Sequence, residues 1–82
     1  MKYNITATPE FEKALEKTTE SLRKAISIKI ESLETKPDRK GKRLLSPLDR
    51  YFCLNILGQY QIIYTVNRKL KKVTLVSVRP IL

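Results

Sequence analysis

The sequence predicts an α+β fold in the order β-α-α-β-β-β, with a helical hairpin packed on one face of a small, mainly antiparallel sheet. Three observations carry this. Residues 52–66 alternate apolar and polar side chains on either side of Gly58, the pattern of a β-hairpin with one buried face. Residues 9–35 instead place apolar side chains at helical intervals and show two threonine-led start signals. The chain has 82 residues, the length of one domain, read as 1–82.

Taken in order, residues 2–7 alternate weakly, with Tyr3, Ile5 and Ala7 on one side, and form a first strand. Thr8-Pro9-Glu10 then starts a helix: the threonine hydroxyl can cap, proline suits the first helical position, and an acid there complements the dipole. Phe11, Leu15, Thr18 and Leu22 keep a helical spacing, but Thr18-Thr19 breaks it with a cap of its own, so two helices are expected, over 9–17 and 20–35. At about 100° per residue, Leu22, Ala25, Ile26, Ile30 and Leu33 fall in one sector facing the sheet, and Ile28 falls outside it.

Residues 36–43, Lys-Pro-Asp-Arg-Lys-Gly-Lys-Arg, end the helix as a basic loop broken by Pro37 and Gly41. Residues 44–48 are ambiguous, and Pro47 bars a central strand there. In the hairpin that follows, a loop of Gly58 and Gln59 alone would set Asn55 among apolar neighbours, where an unpaired amide costs about 1–3 kcal/mol. With Leu57 added to the loop, Phe52, Leu54 and Ile56 pair instead with Tyr64, Ile62 and Tyr60. The second register is chosen. Its other face carries Cys53, Asn55, Gln61, Ile63 and Thr65, a mostly polar strip. A turn over 67–71 leads to a last strand over 73–78, with Thr74, Val76 and Val78 on one side and Val73, Leu75 and Ser77 on the other.

The net charge of +9 is unevenly spread. Residues 1–38 hold seven basic and seven acidic residues, whereas 39–82 hold ten basic residues and only Asp49. All of the excess lies in the sheet half, which points to a polyanion or an acidic protein as partner. One cysteine, Cys53, and no histidine exclude an intrachain disulfide and a Cys/His zinc site. No metal or cofactor is expected. Two glycines, Gly41 and Gly58, cannot make a phosphate-cradling loop. Residues 1–10 lack the apolar core of a signal peptide, and no run approaches the roughly 20 apolar residues of a membrane span, so a cytoplasmic protein is expected.

RNA cleavage by the ribose 2′-hydroxyl needs only a proton acceptor, a proton donor and cations near the phosphate, which lysine, arginine and tyrosine can supply. The catalytic candidates are Arg79, at the end of the last strand, and Arg50, at the start of the hairpin, with Tyr51 beside it. Lys40, Lys42 and Arg43 of the basic loop, with Asn55 and Gln61 of the polar strip, are the candidate RNA contacts. Tyr60 and Tyr64 belong to the buried face.

Several stretches in sequence carry a resemblance: Phe11-Glu-Lys-Ala-Leu, Arg23-Lys-Ala-Ile, Lys29-Ile-Glu-Ser-Leu, Gly41-Lys-Arg-Leu, Gly58-Gln-Tyr-Gln-Ile-Ile-Tyr-Thr-Val and Val73-Thr-Leu-Val-Ser-Val. In order and spacing, over nearly the whole chain, they resemble the RelE/ParE toxin superfamily. The resemblance implies a toxin of a type II toxin–antitoxin pair, neutralised by a cognate antitoxin that wraps it. RelE-like members cut messenger RNA on the ribosome, and ParE-like members inhibit DNA gyrase. The alignment requires the longer hairpin loop that burial favours. RelE-like sequences carry basic residues where this chain has Cys53, Asn55 and Gln61, and after Arg79 only Pro80-Ile-Leu follows, with no tyrosine or histidine. Three readings follow: a RelE-like toxin binding RNA or the ribosome with its nuclease activity weak, displaced to other residues or absent, a ParE-like gyrase inhibitor, and a non-catalytic relative that binds an antitoxin.

Overall fold

The computed structural model describes residues 2–44 and 50–81. Its elements are β1 (Asn4–Ala7), α1 (Pro9–Glu16), α2 (Glu20–Ser32), α3 (Pro37–Lys40), β2 (Lys42–Arg43), β3 (Tyr51–Ile56), β4 (Tyr60–Asn67) and β5 (Lys72–Pro80). The strands form one sheet in the order β1-β5-β4-β3-β2, in which β1 lies parallel to β5 and every other pair is antiparallel. The α+β class and the helices on a mainly antiparallel sheet are as expected. Of the ambiguous residues 44–48, 45–48 lie outside the described residues.

Both long helices start at the threonines. The Thr8 hydroxyl accepts from the Phe11 amide at 3.2 Å and donates to the Val76 carbonyl at 2.8 Å, so one side chain caps α1 and ties it to β5. The Thr19 hydroxyl accepts from the Leu22 amide and starts α2. Phe11 of α1 and Leu22, Ile26 and Leu33 of α2 are buried against Phe52, Ile56, Ile62, Tyr64, Val73, Leu75 and Val78 of the sheet. Ala25 and Ile30 pack at the margin of this core, and Ile28 is exposed, as the helical spacing requires.

The hairpin has the longer loop. Ile56 faces Tyr60, Leu54 faces Ile62 and Phe52 faces Tyr64. The Gln59 amide donates to the Ile56 carbonyl, and the two residues between them, Leu57 and Gly58, both have positive φ, 54° and 69°. That is a type I′ turn followed by an extra residue. The rings of Phe52 and Tyr64 stack across the strands, 5.4 Å between centroids.

Five expectations are corrected. The basic loop over 36–43 is partly structured: Pro37 opens the single-turn α3, and Lys42 and Arg43 pair with Cys53 and Phe52 as a fifth strand. The second helix stops at Ser32, capped by Leu33, rather than at residue 35, and the last strand runs over Lys72–Pro80 rather than 73–78. Its two faces are also not those of plain alternation. Tyr64 pairs with Leu75 but Ile63 pairs with Ser77, which leaves Val76 as the extra residue of a β-bulge. The bulge reverses the alternation, so Val73, Leu75 and Val78 all reach the core. Finally, Ile63 is buried rather than part of a solvated strip. It lies on the open face, but α1 reaches past the sheet and lines a groove there with Glu10 and Ala14.

Candidate functional site

Strand pairing carries side chains of the open face into transverse rows. One row reads Lys42, Cys53, Ile63, Ser77, and the next reads Asn55, Gln61, Arg79. Strands lie about 4.8 Å apart and successive rows on one face about 6.6 Å. So Arg79, the two amides and Lys42 occupy one patch, although they come from four strands. Strands β3, β4 and β5 contain no acidic residue, so nothing on the strands themselves neutralises it.

Cys53 sits at its centre. The thiol donates to Gln61 Oε1 at 2.8 Å, which orients the Gln61 side chain across the strands. Burial pushes the Cys53 thiol above its ordinary pKa, although the charges of Arg79 and Lys42 pull it down. The thiol therefore stays protonated at neutral pH and acts as a hydrogen-bond donor rather than a nucleophile. No histidine is available to change that. Among the described residues there is no group of three or more potential metal ligands.

Lys42 is placed by a buried anchor beneath it. The Tyr64 hydroxyl, fully buried, donates to the Pro37 carbonyl at 2.7 Å and so ties the turn before β2 to the middle of the sheet. Gly41 passes directly over this contact. A Cβ there would stand 2.5 Å from the Tyr64 hydroxyl and 2.7 Å from the Cys53 carbonyl, so only glycine lets β2 close on β3. Asp38 of the same turn pairs with Arg68 at the end of β4. Lys40, Gly41, Lys42 and Asn55 line a shallow cleft along this edge, with a volume of about 240 Å³.

The structure brings together some of the candidates and separates others. Arg79, Lys42, Asn55 and Gln61 share the open face, and Lys40 borders it. Arg43 alternates to the opposite side, where its guanidinium lies over the Phe52 ring, 5.2 Å from the centroid. Arg50 is exposed just before β3, five residues from Asn55 and thus roughly 16 Å along the strand from the Arg79 row. The two proposed catalytic arginines therefore stand at different levels of the sheet. Tyr51 lies on the open face between them and, with Arg79, lines the groove under α1. Glu10 and Ser77 line the same groove and were not singled out from sequence. Only the bulge at Val76 and the path of α1 bring them there, and neither has a sequence signal.

Arranged in this way, a guanidinium, an ammonium and two amides can hold a phosphodiester backbone. The patch lacks a group poised to take a proton near neutrality.

A scan against protein-family models gives no match for this sequence, and a search of curated proteins gives none. Solved structures do resemble it. A chain of the RelBE2 toxin–antitoxin complex from Mycobacterium tuberculosis superposes with a TM-score of 0.88 at 22% identity, over 99% of this chain and 93% of that one. The YoeB/ParE toxin from Agrobacterium tumefaciens gives 0.82 at 15% identity, over 96% and 99%. The isolated RelE toxin of E. coli gives 0.76 at 20%, over 95% and 83%. The chain has the fold of the RelE-type toxins, matched over almost its whole length.

Proposed function

We propose that this chain, which has the RelE-type toxin fold, is the toxin of a toxin–antitoxin pair and acts by holding RNA on the open face of its sheet. The observation that carries the reading is the patch of Arg79, Lys42, Asn55 and Gln61 on strands that hold no acid. Likeness to structures of toxin–antitoxin complexes supports a cognate antitoxin as the protein partner.

The chemistry open to this patch is metal-independent attack of a 2′-hydroxyl on the adjacent phosphorus. A P–O bond to the 2′-oxygen forms, giving a 2′,3′-cyclic phosphate, the bond to the 5′-oxygen breaks, and the proton lost at one oxygen is replaced at the other. Arg79 is the group for the charge that grows on the phosphate, and Lys42 assists. With Cys53, Asn55 and Gln61 neutral and no histidine, such a site binds the backbone better than it stabilises the transition state. Cleavage is slow, and the arrest of translation comes chiefly from occupancy.

Inducible expression without antitoxin, with mapping of transcript 5′ ends and an Arg79→Ala control, tests this. Growth arrest accompanied by sparse new ends within codons, both lost in the variant, supports it. Arrest of replication with transcripts intact, and unaffected by the variant, overturns it in favour of a gyrase-directed toxin. Absence of arrest leaves a protein whose role is to bind its antitoxin.

A further inference from the structure

We infer that Cys53 is a positioning residue of the RNA site: its thiol holds the oxygen end of the Gln61 amide on the β3 side and so leaves the two N–H donors of that amide, and the Arg79 guanidinium, free for a phosphate. This rests on the RNA-binding reading above and gives a part in it to an uncharged residue.

The need for such a residue follows from strand pairing. Gln61 stands opposite Arg79 on one side and opposite Asn55 on the other, and side chains paired in this way have Cβ atoms about 4.5–5.5 Å apart. A glutamine carboxamide carries an acceptor at one end and donors at the other. Its last torsion is broad and roughly two-fold, so either end can be turned the same way. With a guanidinium as neighbour the favoured choice is oxygen toward Arg79, a charge-assisted hydrogen bond. That contact would occupy the cation of the patch with an amide of the same patch. Among the described residues Arg79 makes no ion pair, and the acceptor paired with it across the strands is that of Gln61.

Cys53 supplies the competing donor. It lies one row from Asn55 along β3, diagonal to Gln61, and its Sγ donates to Gln61 Oε1 at 2.8 Å. Burial pushes the thiol pKa up, so the proton that makes this bond is present at neutral pH. A thiol suits the place in a second way. Sulfur is a weak acceptor, so Cys53 donates to the amide without drawing in Lys42, its partner on β2. A carboxylate there would bind the ammonium, and an alanine would leave the amide to turn. With the oxygen engaged on the β3 side, a phosphate on the patch meets donors from Gln61, Arg79 and Lys42.

The test is a double-mutant cycle on the full chain, read by fluorescence anisotropy with a labelled uridine hexanucleotide. Cys53→Ala is expected to weaken binding about fivefold, the order of one hydrogen bond, and to have no further effect in Gln61→Ala. Cys53→Ser keeps a donor at the same place and is expected to bind within about twofold of the wild type. A residue that served only packing would not be rescued by serine, and its loss would weaken binding equally with or without Gln61. Either of those results overturns the inference, and urea midpoints of the same variants separate a fall in affinity from a loss of folding. Wild-type affinity in Cys53→Ala, with Arg79→Ala still weakening binding, overturns it too and leaves the RNA reading standing. If the hexanucleotide binds the wild type and Arg79→Ala alike, or binds neither, the RNA reading falls and the role of Cys53 with it.

Discussion

The two faces of this sheet are made by the same strands and obey opposite rules. On the helix-covered face every side chain has a packing partner: Ile56, Ile62, Tyr64 and Val73 are fully buried. One position along each strand, on the open face, stand Asn55, Gln61, Cys53 and Thr74, none of them part of that core. The first face answers to close packing, where removing a few methyl groups leaves a cavity. The second answers to charge and hydrogen bonding, and can change its residues without endangering the fold. That difference explains how a chain with 15–23% identity to its structural neighbours keeps their fold.

Neighbouring residues of β4 give the sharpest way to break the comparison. Ile62→Ala removes a fully buried side chain from the core and is expected to lower stability by about 2–5 kcal/mol. Gln61→Ala, one residue away, loses the Cys53 contact and is expected to cost under about 1.5 kcal/mol, while weakening RNA binding. Urea titrations of the two variants decide it. Equal losses would mean that the faces are not energetically distinct.

Tyr64 joins the faces, since its ring lies in the core and its hydroxyl holds the turn before β2. Burial pushes its pKa up to about 12 from an ordinary value of 10, outweighing the opposing effect of the Gly41 backbone amide. The folded state therefore keeps the phenol proton where the unfolded chain has lost it. The stability this gives is complete below about pH 10 and is lost as pH rises toward about 12. A shift of two units corresponds to roughly 2–3 kcal/mol in total. Since lysines titrate in the same window, the measurement is the difference between wild type and Tyr64→Phe. The wild type is expected to lose stability more steeply from pH 10 to 12, although the variant is weaker at pH 7 by about 1–2 kcal/mol for the unsatisfied Pro37 carbonyl. Parallel curves would mean that the hydroxyl is not buried in solution.

On the open face the expected effect is on binding rather than folding. Arg79→Ala removes an exposed side chain, and unfolding should shift by no more than about 0.5 kcal/mol. Its affinity for single-stranded RNA should fall about tenfold at low salt, and the slope of log affinity against log salt should drop by about 0.7, the value for one phosphate contact. Arg43→Ala is the control from the other side of the sheet. Its guanidinium covers Phe52, so it should alter stability more than affinity.

What the sequence made legible follows the same division. Helix starts at Thr8 and Thr19, the sector from Leu22 to Leu33 and the hairpin register were all readable, because burial and capping act through local spacing. The register followed from the cost of burying Asn55. Strand β2 was not readable, because two residues carry no periodicity and their pairing depends on the Tyr64 anchor and on Gly41. The bulge at Val76 was hidden because Val73 to Val78 alternate acceptably in either phase. At the candidate site, alternation alone set Asn55 and Gln61 on the open face. The separation of Arg50 from Arg79, and the turning away of Arg43, depend on strand lengths and on β2, which composition does not encode. Glu10 reads as a helix-start acid, and only the path of α1 puts it in the groove that Arg79 also lines.

The smallest expected effect lies at the hairpin tip, where the two faces meet and neither rule applies. Leu57 is 67% exposed and has φ 54°, in the left-handed region that costs a branched side chain energy without a packing return. Asn at the first central position suits a type I′ turn, and Asn-Gly is the favoured pair there. Leu57→Asn should therefore raise stability by about 0.5–1 kcal/mol, seen as a higher urea midpoint with an unchanged slope. A loss instead would mean that the Leu57 side chain is packed in solution, either on Ile81, whose amide donates to the Gln59 carbonyl beside the turn, or against a second molecule. Dependence of the midpoint on protein concentration separates those two, because only contact with another molecule is concentration-dependent.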